Sequence, residues 1–248
     1  MAGHNKWSKI KHTKAVEDKK RSKMFSKMIK EIMVSVKEAG TADPDSNPRL
    51  RTAINNAKGV NMPKKNIESA IKKASEGSVS DYMELTYEGY APGGIAVFIE
   101  CSTDNQNRAV NNIRAIFNKK GGNLATKGSV DFMFDQKGVF LFPQGEWNSE
   151  DLELELIDAG AEDVELEDGQ YTVTTDVKDF GNMRNKLEEL GIETTNASLQ
   201  RIPQNTQEVD VETARKVMKV IDALEDEEDV KAVYHNMEMT DEIVAEVV

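Results

Sequence analysis

The residue types able to do chemistry are sparse in this chain, whereas cations are abundant. Cys101 is the single cysteine, so no internal disulfide and no Cys cluster for zinc can form. It closes an apolar run and reads as core. His4 and His12 sit eight residues apart among lysines that would repel a metal ion, and His235 lies far along the chain. Asp43, Asp45 and Asn47 echo a calcium loop, but Pro48 stands where the turn glycine belongs and Ile54 where the bidentate Glu belongs. There is no GxSxG, HExxH or GxxxxGK[ST]. Gly93-Gly94 precedes a strand, Gly121-Gly122 follows a helix, and Gly128-Ser129 leads into an expected strand, so none of these pairs is expected to make an anion hole. The acidic run 225–229 reads as a solvated turn. The expectation is a chain with no catalytic site, no metal and no cofactor.

The cations carry the signal. Lys6, Lys9, Lys11, Lys14, Lys19, Lys20, Arg21, Lys23, Lys27 and Lys30 place ten positive charges in the first 30 residues, against Glu17 and Asp18. Such density repels itself unless an anion neutralises it. Nucleic-acid phosphate is the natural counter-ion, and its capture releases counterions. Lysine outnumbers arginine, which favours contact with the backbone over bidentate reading of guanine. Trp7 offers a ring that either stacks on a base or plugs the domain's own core. With His12, Arg49 and Arg51, these residues form the expected nucleic-acid-binding set.

The elements that must position them follow from periodicity. Ala15 to Ala39 is expected to be a helix ending at Gly40, with Met24, Phe25, Met28, Ile29, Ile32 and Val36 on one face and Lys20, Lys23, Lys27, Lys30 and Lys37 on the other. Asn47-Pro48 starts a second short helix and the segment 61–75 forms a third. Residues 75–81 read as a linker. Beyond it, Tyr87–Gly94 is Gly/Pro-rich, 95–101 a buried strand, and a helix capped by Thr103 or Asp104 runs to Gly121. A strand is then expected at 129–134. A second set follows: strand 138–143, helix 149–160, strands 163–167 and 170–176 around Asp168-Gly169, helix 177–191 and strand 192–203. Its βαββαβ order is ferredoxin-like. Helix 211–226 and strand 230–238 can complete the earlier piece. The expected fold is therefore α+β. A three-helix domain (1–78) precedes a discontinuous α+β domain (79–136 plus 205–248), into which a ferredoxin-like domain (137–204) is inserted; a serial order is the alternative.

Charge divides along the same line. Residues 1–75 hold 18 Lys+Arg and 7 Asp+Glu, a balance of +11, while residues 76–248 hold 14 and 37, a balance of −23. The net charge of −12 thus hides a basic module on an acidic body. No apolar run is long enough to span a bilayer, and the start lacks the apolar stretch of a signal peptide. A soluble cytoplasmic monomer is expected, with no membrane partner and no small-molecule substrate.

Seven segments, MAGHNKWSKIKHTKA, KRSKMFSKMIKEI, NPRLRTAINNAK, NMPKKNIESAIKKA, YEGYAPGGIAVFIEC, TDNQNRAV and KKGGNLATKGSVDFMF, closely resemble the YebC/PmpR family in order and register. The resemblance implies a helical N-terminal domain and two α+β domains. It also implies DNA-binding transcriptional regulation, although some relatives look like translation factors acting at the ribosome. Thr13, Lys65, Ala125 and Lys127 depart from the family pattern, where Arg, Asp, Gly and an acid are common. Three functions therefore compete: a DNA-binding transcriptional regulator, a ribosome- or RNA-binding translation factor, and a protein adaptor using its acidic domains.

Overall fold

The computed structural model describes residues 18–77 and 81–247. Its first helix, α1 (Asp18–Ala39), ends where Gly40 takes φ +65°. Asn47 caps α2 (Pro48–Gly59) by accepting from the Leu50 N–H at 3.0 Å. Its amide also donates to the carbonyls of Ser35 and Thr41, so the cap of one helix fastens the end of the other. Asn61, at φ +57°, turns the chain into α3 (Lys64–Ser75). Ile32, Val36, Leu50, Ala57, Ile67 and Ala70 form the shared core.

The rest is two antiparallel-based sheets with helices packed on them. Strands β1 (Met83–Ala91) and β2 (Ile95–Thr103) form a hairpin through Pro92-Gly93-Gly94, where both glycines have positive φ. Helix α4 (Gln106–Lys120) ends in the left-handed Gly121 and leads to the short β3 (Asn123–Leu124) beside β1. Next come β4 (Phe134–Pro143), α5 (Ser149–Asp158), β5 (Ala161–Glu167), β6 (Gln170–Asp176), α6 (Phe180–Glu189) and β7 (Asn196–Pro203). The chain closes with α7 (Val211–Glu225), β8 (Val230–His235) and α8 (Asp241–Val247).

The chain forms two compact units. One takes in the start of α1 as far as Lys23, Ser80–Asp135 and Arg201–Val248; the other takes in Met24–Val79 and Gln136–Gln200. The sheet of the first runs β3-β1-β2-β8. Ile95, Val97, Ile99 and Cys101 of β2 pack with Ile113, Phe117, Val217, Ile221 and Leu224 of α4 and α7. The alternate residues Ala96 and Phe98 pack with Val130, Phe134 and Tyr234. β2 is buried on both faces, which is why its sequence is a continuous apolar run rather than an alternating one.

The second sheet runs β5-β6-β4-β7, the spatial order of a ferredoxin-like βαββαβ unit. Asp168 and Gly169 both take positive φ in the β5–β6 turn, as a two-residue hairpin requires. The α+β class read from the sequence is the observed one.

Several local expectations are corrected. Residues 129–134 are not a strand: Asp131–Met133 is a 3-10 turn, and β4 begins at Phe134 rather than at 138. The backbone N–H groups there point at a carboxylate instead of a neighbouring strand. The Gly/Pro-rich reading of Tyr87–Gly94 missed most of β1, because only Pro92–Gly94 is a turn. Asn105 caps α4, not Thr103 or Asp104; its side chain accepts from the Arg108 N–H at 2.9 Å. The strand expected from 192 starts at Asn196.

Candidate nucleic-acid interface

Six of the sequence-predicted site residues, Lys6, Trp7, Lys9, Lys11, His12 and Lys14, lie outside the described residues. Lys19 and Lys20 fall within the backbone of α1, and their side chains also lie outside the description. Arg21 is exposed, and Lys27 and Lys30 are half-buried on α1. Lys23 is anchored: its Nζ lies 3.0 Å from Asp226 Oδ1 and donates to the Asp226 carbonyl at 3.1 Å.

The two arginines of α2 are held by the fold. Arg49 donates from Nε to Glu31 at 2.8 Å and also pairs with Glu38. Arg51 reaches Glu188 at 3.0 Å and donates to the Pro44 and Asp45 carbonyls. Guanidiniums so engaged offer few donors to a base edge or a phosphate.

Other cations, absent from the sequence-predicted set, are exposed: Lys58 at the end of α2 and Lys64, Lys65, Lys72 and Lys73 on α3. Lys64 and Lys72 make loose i,i+4 contacts with Glu68 and Glu76 at 3.7 and 3.8 Å. Exposed pairs of this kind are weak and screened by salt, so both lysines can exchange their partner for a phosphate. The signal that finds Lys58, Lys64 and Lys65 is the absence of acids. From Ser46 to Ile67 the sequence holds five cations and no Asp or Glu. A count of cations alone was dominated by the denser first 30 residues.

A buried anion-binding backbone exists, contrary to the expectation for Gly128-Ser129. Glu88 on β1 is buried, and its carboxylate accepts from the N–H groups of Gly128 (2.6 Å), Val130 (2.6 Å) and Asp131 (3.0 Å). Gly128, at φ +88°, provides the turn. Burial raises the carboxyl's pKa and the converging N–H groups lower it; the net result lies below the ordinary carboxylate value. The hole is filled by the protein's own side chain, so its role here is to shape the 123–133 loop.

Among the described residues no three His, Cys, Asp or Glu side chains group to hold a metal ion. Cys101 is buried in the core of the first sheet. No helix among the described residues is long and apolar enough to cross a membrane.

This arrangement, three helices with exposed lysines followed by two α+β sheets, matches a known solved fold. A crystal structure of a conserved hypothetical protein from Aquifex aeolicus superposes with a TM-score of 0.84 at 41% identity, covering 96% of this chain and 99% of that one. Family models for the TACO1/YebC N-terminal domain and for the TACO1/YebC second and third domain match residues 5–77 and 82–237. The chain belongs to the TACO1/YebC family. A relative in Amoebophilus asiaticus, named a probable transcriptional regulatory protein, is 50% identical over 96% of this chain and 98% of its own length. One of the same name in Treponema pallidum is 49% identical over 98% of this chain and 100% of its own.

Proposed function

We propose that this protein is a non-enzymatic regulator of gene expression that binds nucleic acid through the basic surface of its N-terminal helical segment. The observation that carries the reading is the exposed lysine group Lys58, Lys64, Lys65, Lys72 and Lys73, on helices whose segment has a balance of +11. Lysines act as point charges, so the contact is to phosphate and its affinity falls steeply with salt. The cations preceding Asp18 add to the positive balance of the segment, and the acidic remainder of the chain disfavours a polyanion elsewhere. The relatives' name supports a transcriptional role; the proposed target is DNA, in the cytoplasm.

One observation favours a second reading, in which the target is RNA or the ribosome. The cations left exposed on α2 and α3 are all lysine, while Arg49 and Arg51 are engaged in ion pairs. Sequence reading in a major groove relies on Arg, Asn or Gln at base edges. A lysine surface suits structured RNA or non-specific DNA contact better.

The test is binding of the full chain to a promoter-length DNA duplex and to ribosomes at matched salt. The triple variant Lys58→Glu, Lys65→Glu, Lys73→Glu is expected to lose most of the affinity for its target while keeping its helicity. Unchanged affinity in that variant would remove the helical surface as the binding site.

A further inference from the structure

The acidic body contains a second basic island. From Asn105 to Val130 the sequence has no Asp or Glu and five cations, within a stretch of the chain that otherwise averages more than two acids per cation. Arg108 is engaged with Asp229 and Asp104. Arg114, Lys119, Lys120 and Lys127 are exposed. Lys119 and Lys120 end α4, and the chain then runs beside β1 and turns at Thr126–Ser129, with Lys127 in the turn. Immediately beyond, Phe132 is 70% exposed, the most exposed of the large hydrophobic side chains described.

The ring is displayed on a firmly held turn. The Gly128, Val130 and Asp131 N–H groups are bound to Glu88. The Met133 N–H donates to the Val130 carbonyl, and the Met133 carbonyl accepts from the Gln204 N–H, both at 2.9 Å. Asp131, the acid nearest Phe132 in sequence, is paired with Arg201 at 3.3 Å. A pre-ordered aromatic loses little freedom on binding. In the segment before it the exposed residues are Gly121, Asn123, Thr126, Lys127 and Gly128, while Leu124 packs on the core, so the segment does not extend the ring into an apolar docking patch.

We propose that residues 119–132 form a second nucleic-acid contact, one that takes an unpaired strand: Lys119, Lys120 and Lys127 meet phosphates and Phe132 stacks on an exposed base. The inference rests on the reading that this protein binds nucleic acid. It adds the state of that ligand, because a base offers its face to a side chain only when it is unstacked. A duplex would satisfy the lysines and leave the ring in water.

The test uses the full chain with a 12-nucleotide single-stranded RNA, a DNA strand of the same sequence and the corresponding DNA duplex, each at several salt concentrations. Phe132→Ala is expected to weaken both single strands about tenfold and leave the duplex unaffected. Lys119→Glu with Lys120→Glu and Lys127→Glu is expected to weaken all three ligands. Phe132→Trp should retain affinity and show fluorescence quenching on strand binding. The thermal midpoint of each variant verifies folding, which exposure at 132 makes robust. Single-strand binding by the wild type that neither the Phe132→Ala nor the triple lysine variant changes would overturn the proposal while leaving the helical surface as the binding site; Phe132 then serves a protein contact. A wild type that binds none of the ligands would overturn both readings.

Discussion

The side chain of Asn56 pairs with the backbone of Ala197 as a strand would: its Nδ2 donates to the Ala197 carbonyl and its Oδ1 accepts from the Ala197 N–H, both at 2.8 Å. β7 is the edge of its sheet, so Ala197 would otherwise present an unmatched pair of polar groups. Two further contacts bring α2 to the same region, Arg51 to Glu188 and the close approach of Gly59 to Thr195. The helical segment and the ferredoxin-like sheet are thereby held in one compact unit. Replacing Asn56 with Ala leaves both backbone groups without a partner and is expected to cost about 1–3 kcal/mol. Urea unfolding measures it; a loss below 0.5 kcal/mol would show that water substitutes for the amide.

Gly59 and Gly181 are both helical glycines, yet their alanine variants should move in opposite directions. A Cβ on Gly59 would lie 1.9 Å from the Thr195 carbonyl oxygen, so the backbone of one segment must shift. The overpacking cost, roughly 1–3 kcal/mol, exceeds the gain of about 1 kcal/mol in helix propensity. A Cβ on Gly181 of α6 meets nothing within 4 Å, and Gly181→Ala should stabilise by about 0.5–1 kcal/mol. Thermal midpoints of the two variants on either side of wild type confirm the pair.

Glu88 ties stability to acidity. Its pKa in the folded state lies below its unfolded value, near 4.3. The stability it adds is therefore complete above that unfolded value and disappears as pH falls through the lower folded value. Glu88→Gln should lower the midpoint at neutral pH and flatten the decline below about pH 4. Parallel acid limbs for wild type and variant would assign the acid transition to other carboxylates.

Arg108 and Asp229 meet through two bonds of 2.7 and 2.8 Å, but they are unequally placed. The Asp229 side chain is fully buried while that of Arg108 is 45% exposed. Deprived of its partner, Arg108 can turn into water, whereas Asp229 stays in the interior as a carboxylate without its guanidinium. Arg108→Met should therefore lower the thermal midpoint more than Asp229→Asn does. The reverse order of midpoints would show that the aspartate finds other donors.

Lys58, Lys65 and Lys73 make a prediction about salt as well as affinity. Each lysine that meets a phosphate contributes about 0.7–0.9 to the slope of log affinity against log salt. Neutralising them singly to Gln should lower that slope stepwise, without altering preference among sequences. A change in sequence preference would mean that they reach bases.

The legible parts of this fold are those whose cause is local in sequence. Asn47-Pro48, Gly121 and Asp168-Gly169 cap, stop and turn the chain through their own side chains or φ angles, so they were readable one residue at a time. The α+β class followed from the two periods. What escaped depends on distant partners. Residues 129–134 alternate like a strand, but Glu88, some 40 residues earlier, takes their N–H groups. The ion pairs of Arg49 and Arg51 are hidden for the same reason, since Glu31, Glu38 and Glu188, which engage them, are 18, 11 and 137 residues away. β1 was obscured by the glycines at its end, although most of its residues are polar or aromatic and suit a half-buried strand.

The carboxylate of Glu88 acts as a tethered ligand in a site built from main chain. Its attachment to β1 gives it an effective concentration that no dissolved carboxylate matches, so the site stays filled and the loop keeps one shape. Cutting the tether separates binding from attachment. In Glu88→Ala the three N–H groups face a small polar void, and formate or acetate should enter it and restore part of the lost thermal midpoint, while chloride at the same ionic strength should not. Chemical rescue of this kind would turn a structural carboxylate into an externally controlled switch for the shape of the 123–133 loop.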